Sequence, residues 1–328
     1  TATTELYTLS LHDALPVFRG IPQDFDDWAS WGNEEWSYTK VLPYFRKAET
    51  DLDIKDDFHG TDGPLPISRK VGETWPVIQS AFHIACLQNG FDTTDDMNGV
   101  EPTGVGVVPM NNQKGVRMST AITHLAPMRH HLNLTIRGNV FARKILIENR
   151  QVTGVEVESG GEVFTVESNK VVLSAGALKS PHILMLSGIG PKDQLDEYGI
   201  DVLQNTPGVG ANLRNHPISP ISFRVKEGIK LQPDASGVRI ALRYTAKGSD
   251  DSNDMMMTTS SLFSPFTGEM LPDRIGRISC VIELPAGAGF VRLNSADPAV
   301  QPKFDYRYFS HPEDRKSTRL NSSHALIS

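Results

Sequence analysis

Apolar residues in this chain change their spacing as the chain proceeds. From Trp31 to about residue 125 they recur at helical intervals. Trp31, Trp36, Tyr38, Leu42, Tyr44 and Phe45 trace one helical face, expected to pack into a core, and the charged run Arg46 to Thr50 ends it. Val77, Ile78, Ala81, Phe82, Ile84, Ala85 and Leu87 predict a second helix, stopped by Gly90. A third is expected to begin near Arg117 and run to Leu125, capped by Ser119 or Thr120. From Leu132 the period becomes two. Leu134 to Ile136, Lys144 to Ile147, Val152 to Val157 and Val163 to Val166 read as successive strands, three of them a β-meander. The continuous run Val171-Val172-Leu173 then predicts a strand buried on both faces. It turns at Ser174-Ala175-Gly176, and Ser180-Pro181 predicts the start of an apolar helix that ends at Ser187 to Pro191. After Pro217 come antiparallel strands at Ile221 to Val225, Val238 to Tyr244, Ile278 to Leu284 and Gly289 to Leu293. Between them Lys247 to Met270 reads as a mobile loop. Met255 to Met257 would line a substrate cavity there or fill core, and core is preferred.

The expected fold class is therefore α/β, mixed with α+β: a strand-turn-helix of a parallel sheet beside an antiparallel one. A turn at the carboxyl end of such a strand is where open α/β sheets bind ligands, and Gly176 lets a backbone or ligand come close. On pattern alone a structural crossover without a ligand reads equally well.

With 328 residues, 39% of them hydrophobic, the chain can bury a large core in one large domain or two. A formal net charge of −7 argues against a nucleic-acid surface. No apolar run has the length of a membrane span and no signal peptide opens the chain, so a cytoplasmic setting is expected. Cys86 and Cys280 read as buried small hydrophobes in a reduced compartment. No His/Cys cluster has metal-ligand spacing, so no metal is expected. Asp92, Asp95 and Asp96 lack the spacing and closing Glu of a calcium loop and read as a solvated loop. His59, beside Gly60 and Asp62, reads as a hydrogen-bonding loop residue and not as a catalytic base.

Gly176-Ala177-Leu178-Lys179-Ser180-Pro181-His182-Ile183-Leu184, followed by Ser187-Gly188-Ile189-Gly190, resembles the second diagnostic motif of the glucose–methanol–choline (GMC) oxidoreductases, FAD enzymes that oxidise alcohols. Pro207 to His216 is similar to the segment that follows in that family, with Asn215 where Asp is usual. Val17 to Gly20, Asp24 to Ala29, Phe58 to Leu65, Phe290 to Pro298 and Phe304 to Ser310 extend the resemblance over Val17 to Glu313. It implies an incomplete FAD-binding Rossmann-like domain with a β-meander, plus a substrate domain on an antiparallel sheet. The expected boundaries are residues 17–130 for mixed helices and loops, 131–216 for the FAD-binding part, and 217–313 for the substrate domain with the start of the C-terminal region. It also implies FAD contacts at the backbone of Val140 and Phe141, against the adenine, and at Ala175 and Gly176, against the adenosine half.

No Gly-x-Gly-x-x-Gly occurs, although a dinucleotide pyrophosphate needs such a loop. In the family it lies upstream, and the catalytic histidine, which takes the alcohol proton as hydride passes to the flavin, lies beyond Glu313. No residue here is therefore assigned as catalytic, and the chain alone is expected to be inactive. The alcohol and the electron acceptor are left open. An FAD-containing lyase of the same family and a non-catalytic binding module are the alternatives. Finally, Glu5 to Pro16 and Asp314 to His324 resemble translated sequencing-adapter DNA. Residues 1–16 and 314–328 are on that reading expected to be exposed or poorly ordered.

Overall fold

The structure, a computed structural model, describes residues 16–69, 75–114, 116–230, 238–261 and 275–316. The chain forms two units: Thr1–Leu134 with Ile218–Leu284 and Lys316–Ser328, and Thr135–Pro217 with Pro285–Arg315.

The first unit is built on a five-stranded antiparallel sheet in the order Ile218–Arg224, Ile275–Ile282, Met255–Ser261, Ile240–Tyr244, Gly104–Val107. Met255–Ser261 is its middle strand, pairing Met256 with Val281 on one side and with Arg243 on the other. This corrects the expected loop over Lys247 to Met270, whose residues from 262 onward lie outside the described part. Met255, Met256 and Met257 are 0, 4 and 5% exposed, so they are core. The unbranched Met side chains and the Thr-Ser run behind them hide the strand, because neither supplies apolar alternation. Met256 and Ala241 pack with Met97, Val108 and Met110, joined by Phe18.

The helix Val77–Gln88 packs on the three strands nearest it and buries Ile78, Phe82 and Cys86. Inside that contact the Gln79 Nε2 donates to the Thr259 carbonyl (2.7 Å) and its Oε1 accepts from the Ile240 N–H (3.0 Å). Burial alone pushes the Cys86 thiol up to about 12, as an inert core cysteine requires. The expected face from Trp31 to Phe45, in contrast, is not one helix: Trp31 caps the end of a preceding helix, Trp36 lies in a 3-10 turn and only Tyr38 onward is α-helical. Pro22–Ser30 and Tyr38–Ala48 are separate helices, joined through Phe25, which packs edge-on to Phe45 at 5.5 Å. Tyr38 and Val41 form the buried side of the second helix. Trp31, Trp36 and Tyr44, expected in the core, are 73, 51 and 72% exposed: Gly32 (φ +98°) turns the chain between Trp31 and the second helix, and Tyr44, two residues from Leu42, falls on the outer side of that helix. The third expected helix is a π-helical turn, Ala121–Leu125, leading into the short helix Ala126–Met128.

In the second unit the strands Phe141–Glu148, Gln151–Ser159 and Glu162–Glu167 form the meander in chain order. Its first turn is Asn149-Arg150, both at positive φ (+49° and +63°), which matches the twist of a two-residue hairpin. A second three-stranded sheet pairs Gly289–Arg292 with Ala211–Leu213 and with Lys303–Asp305. The helix Gly176–Leu186 packs on the first meander strand and on Gly289–Arg292. Met185, Leu186, Leu195, Leu213, Val291 and Leu293 are the core beneath it.

Two expected strands are absent here. Leu134 to Ile136 is exposed and unpaired in the ladder, and Val171 to Leu173 runs outside any strand with Val172 82% exposed. A parallel strand exists only through its neighbours, and among the described residues none pairs with this run. The ends also depart from expectation. Pro16 forms a β-bridge to Met110, and Asp314 is 3% exposed, its carboxylate accepting the Ala286 and Gly287 N–H groups at 2.8 and 3.0 Å. Residues 1–15 and 317–328 lie outside the described part.

Candidate cofactor-binding site

Gly176 opens its helix five residues before Pro181, where the sequence placed the start. Small residues at Gly176 and Ala177 let the helix continue upstream, and Pro181 then removes only the bond to the first turn. Ala175 is the N-cap and supplies no side-chain cap. Its own N–H donates to the Ser180 Oγ at 3.1 Å. The first-turn N–H groups therefore keep their donor capacity and the positive end of the helix dipole. Gly176 is at φ +81°, and a Cβ added there would meet nothing within 4 Å. The residues present thus fit a ligand that needs backbone donors and close approach at a helix N-terminus.

The far end of this helix is anchored. Ser187 Oγ donates to the Ile183 carbonyl (2.6 Å) and accepts the Ile145 N–H (2.8 Å), fixing helix to meander. Gly188 (φ +82°) closes the helix, and a Cβ there would lie 2.5 Å from the Asp201 carbonyl. Inside the helix His182 is 2% exposed and its Nε2 has no hydrogen bond. Burial, helped by the Lys179 charge, lowers the ring to about 4, and burial also lowers Lys179.

The four residues expected to contact cofactor lie at the starts of two packed elements. Val140 is half-buried just before the first meander strand, Phe141 is that strand's first residue and 40% exposed, and Ala175 and Gly176 are exposed at the helix start. A cavity of about 430 Å³ in this unit lies at the helix's other end, lined by Ile145, Ser187, Gly188, Asp201 and Pro298, and none of the four lines it. Asn215 is exposed and donates to the Tyr308 hydroxyl at 2.6 Å, a bond a carboxylate could only accept.

The first unit holds a second cluster, which the sequence did not disclose. Arg19 donates to Glu49 Oε1 (2.5 Å) and to the Phe58 carbonyl (2.9 Å), with its guanidinium over Phe45 at 5.2 Å. Arg69 donates to Asp51 Oδ2 (2.6 Å) and Asp96 Oδ1 (2.7 Å). His59, fully buried, places Nδ1 2.8 Å from Asp56 Oδ1 and Nε2 3.3 Å from Asp96 Oδ2 and 3.7 Å from Asp51 Oδ2. Burial raises the Glu49 carboxyl against the opposing pull of Arg19 and the Gly60 N–H. At Asp51 burial also opposes charge, but the Ile54 N–H and Arg69, with the Asp53 N–H, outweigh it and hold the carboxyl below the usual range. Far from a solvated loop, Asp92 to Gly99 buries Met97 and Asn98 and commits Asp96 to this cluster. The available signal was His59 set near Asp51, Asp56 and two glycines, but the cluster as a whole draws on four separate stretches, around residues 19, 49–59, 69 and 96.

Residues 13–218 match the family model described as GMC oxidoreductase. An oxygen-dependent choline dehydrogenase of Photobacterium profundum is 34% identical over 332 residues, covering 94% of this chain and 58% of that protein. A glucose dehydrogenase [FAD, quinone] of Drosophila melanogaster is 33% identical over 341 residues, covering 94% of this chain and 54% of its own length. Among solved structures, pyridoxine 4-oxidase from Mesorbium loti superposes with a TM-score of 0.85 at 27% identity, covering 95% of this chain and 62% of that one. The chain spans about three-fifths of the length of such relatives. Among the described residues no helix is long and apolar enough to cross a membrane.

Proposed function

Because the chain belongs to the GMC oxidoreductases, a family of FAD flavoproteins, we propose that it is the middle portion of an FAD-dependent enzyme that oxidises the CH–OH group of a small alcohol. The observation that carries this reading is the family match over residues 13–218, within which the glycine-led, uncapped helix start lies. Bound FAD supplies the acceptor for the hydride that leaves the alcohol carbon. This chain's own part is to hold the adenosine half, through backbone groups at Ala175 and Gly176 and, beside the adenine, at Val140 and Phe141. Ser187 keeps that helix start in register with the meander by clamping its other end to Ile145. Choline or a similar primary alcohol is the proposed substrate class, on the names of the relatives. The proton acceptor and the pyrophosphate loop belong on this reading to sequence outside the chain, and the chain alone neither retains FAD nor turns over.

The test is to express the chain and, separately, the longer gene product that contains it, add FAD, desalt, and read the flavin absorbance retained. Dye reduction with choline and simple primary alcohols follows. The expected result is a yellow, alcohol-reducible long protein and a colourless chain. A long protein that stays colourless, or a flavin that no alcohol reduces, would sink the proposal; a stoichiometrically yellow and active chain would refute the assignment of the missing parts.

A further inference from the structure

We propose that Glu49, Asp51 and His59, with Asp96 beside the imidazole, form a structural site for a divalent first-row cation, Zn²⁺ or Mn²⁺, in the first unit. A carboxylate only accepts hydrogen bonds, so the 2.8 Å contact between His59 and Asp56 requires the proton on Nδ1 of the imidazole. In the neutral ring Nε2 is then a lone pair, fully buried and without a hydrogen bond. It points at two further acceptors, Asp96 Oδ2 at 3.3 Å and Asp51 Oδ2 at 3.7 Å. A buried lone pair facing two carboxylate oxygens is repulsive until a cation lies beside it. Their separations also suit one: ligands about 2.1 Å from a tetrahedral ion stand ~3.4 Å apart. Ligand atoms of Glu49, Asp51 and His59 all lie within 4.8 Å of one another, and all three residues are buried.

The charges point the same way. Three carboxylates with little exposure, Glu49, Asp51 and Asp96, face two guanidiniums, Arg19 and Arg69, and the half-exposed Asp56 adds a fourth at the edge. The excess negative charge favours a bound cation, because uncompensated buried charge is costly. Arg69 takes one lone pair of Asp51 Oδ2 and the other oxygen of Asp96, leaving Asp51 Oδ2 a second lone pair and Asp96 Oδ2 free for the ion. The Asp56–His59 contact is the carboxylate–histidine arrangement that fixes the tautomer of a ligating imidazole. One imidazole among carboxylates favours Zn²⁺ or Mn²⁺ over Ca²⁺, which takes oxygen alone. Such an ion would tie the 49–59 stretch toward Asp96 and does not depend on the flavin chemistry proposed above.

The test uses the whole chain, stripped with a chelator and then titrated with Zn²⁺ or Mn²⁺. Metal content by mass spectrometry and the melting temperature are read together. Stoichiometric uptake is expected, with a melting temperature that climbs as free metal rises. His59→Gln should abolish both responses. Asp56→Asn, at a half-exposed position that leaves the core intact, should weaken uptake about 10–100-fold and keeps the test decisive if H59Q does not fold. Two results overturn the proposal: a stripped wild-type chain that takes up no metal and melts unchanged, which leaves a proton as the cation on Nε2, or uptake that survives both substitutions.

Discussion

Acidification should unfold this protein partly through His182. The ring is 2% exposed in the helix Gly176–Leu186, and burial together with the Lys179 charge lowers it from the ordinary 6.5 to about 4. The fold accepts the neutral ring, so the unfolded chain binds the extra proton. Stability is therefore unaffected by this group above pH 6.5 and is lost as pH falls toward 4, where the loss is complete. One pH unit is worth about 1.36 kcal/mol, so the interval from 6.5 to about 4 holds roughly 3 kcal/mol. For a chain of this size that is on the order of 6–12 °C in melting temperature. Asp51, held low in the fold, loses stability in the same direction, so the wild-type curve alone does not isolate His182. The comparison is with His182→Leu, which fills the site without a titrating ring or the unbonded Nε2. Melting by circular dichroism at pH 7.5 and about pH 4.5 should show the wild type losing several degrees more than H182L. Equal losses in the two proteins would refute the assignment and mean that the ring is hydrated or paired in solution.

Two further substitutions probe the packing. Gln79→Leu leaves the Thr259 carbonyl and the Ile240 N–H without the bonds they share with that side chain, and should cost about 2–4 kcal/mol by urea midpoint; a change below about 0.5 kcal/mol would show that water or a shifted helix replaces them. Gly289→Ala puts a Cβ 1.7 Å from the Asp305 carbonyl, which the pairing of Gly289–Arg292 with Lys303–Asp305 cannot absorb, so a loss of about 3 kcal/mol or of soluble protein is expected in thermal melts.

The elements that could be read in advance are those whose partners are close in sequence. Lys144 to Ile147, Val152 to Val157 and Val163 to Val166 are short β-branched, apolar-rich runs separated by turn residues that pair with one another, so the local pattern discloses the meander. Val77 to Gln88 is legible because its own apolar stripe meets a sheet that needs covering. Trp31 misleads because helical spacing does not carry across the turn at Gly32, and Tyr44 because it stands two residues from Leu42, on the other side of one helix. Met255 to Met257 fall in the middle of a sheet, yet the strand carries no β-branched residue until Thr258.

The open glycine helix start and the charged cluster were hidden to different degrees for the same reason. Ala175 and Gly176 are marked by local chemistry: small residues with a free backbone, where only the position of the helix start was missed, by five residues. His59 carries no such mark, because its character comes from Asp56 and Asp51 across a loop and from the distant Asp96, with Arg69 holding those last two carboxylates in place. An isolated histidine beside two glycines reads as a loop; the same ring with its lone pair turned toward two buried carboxylates is a demand for positive charge. Val171 to Leu173 makes the complementary point. Its apolar content promised a buried strand, but burial belongs to the neighbours as much as to the run, and Val172 is exposed where nothing among the described residues pairs with it. Composition sets what a stretch could become, and the residues gathered around it from elsewhere in the chain decide which of those outcomes it takes.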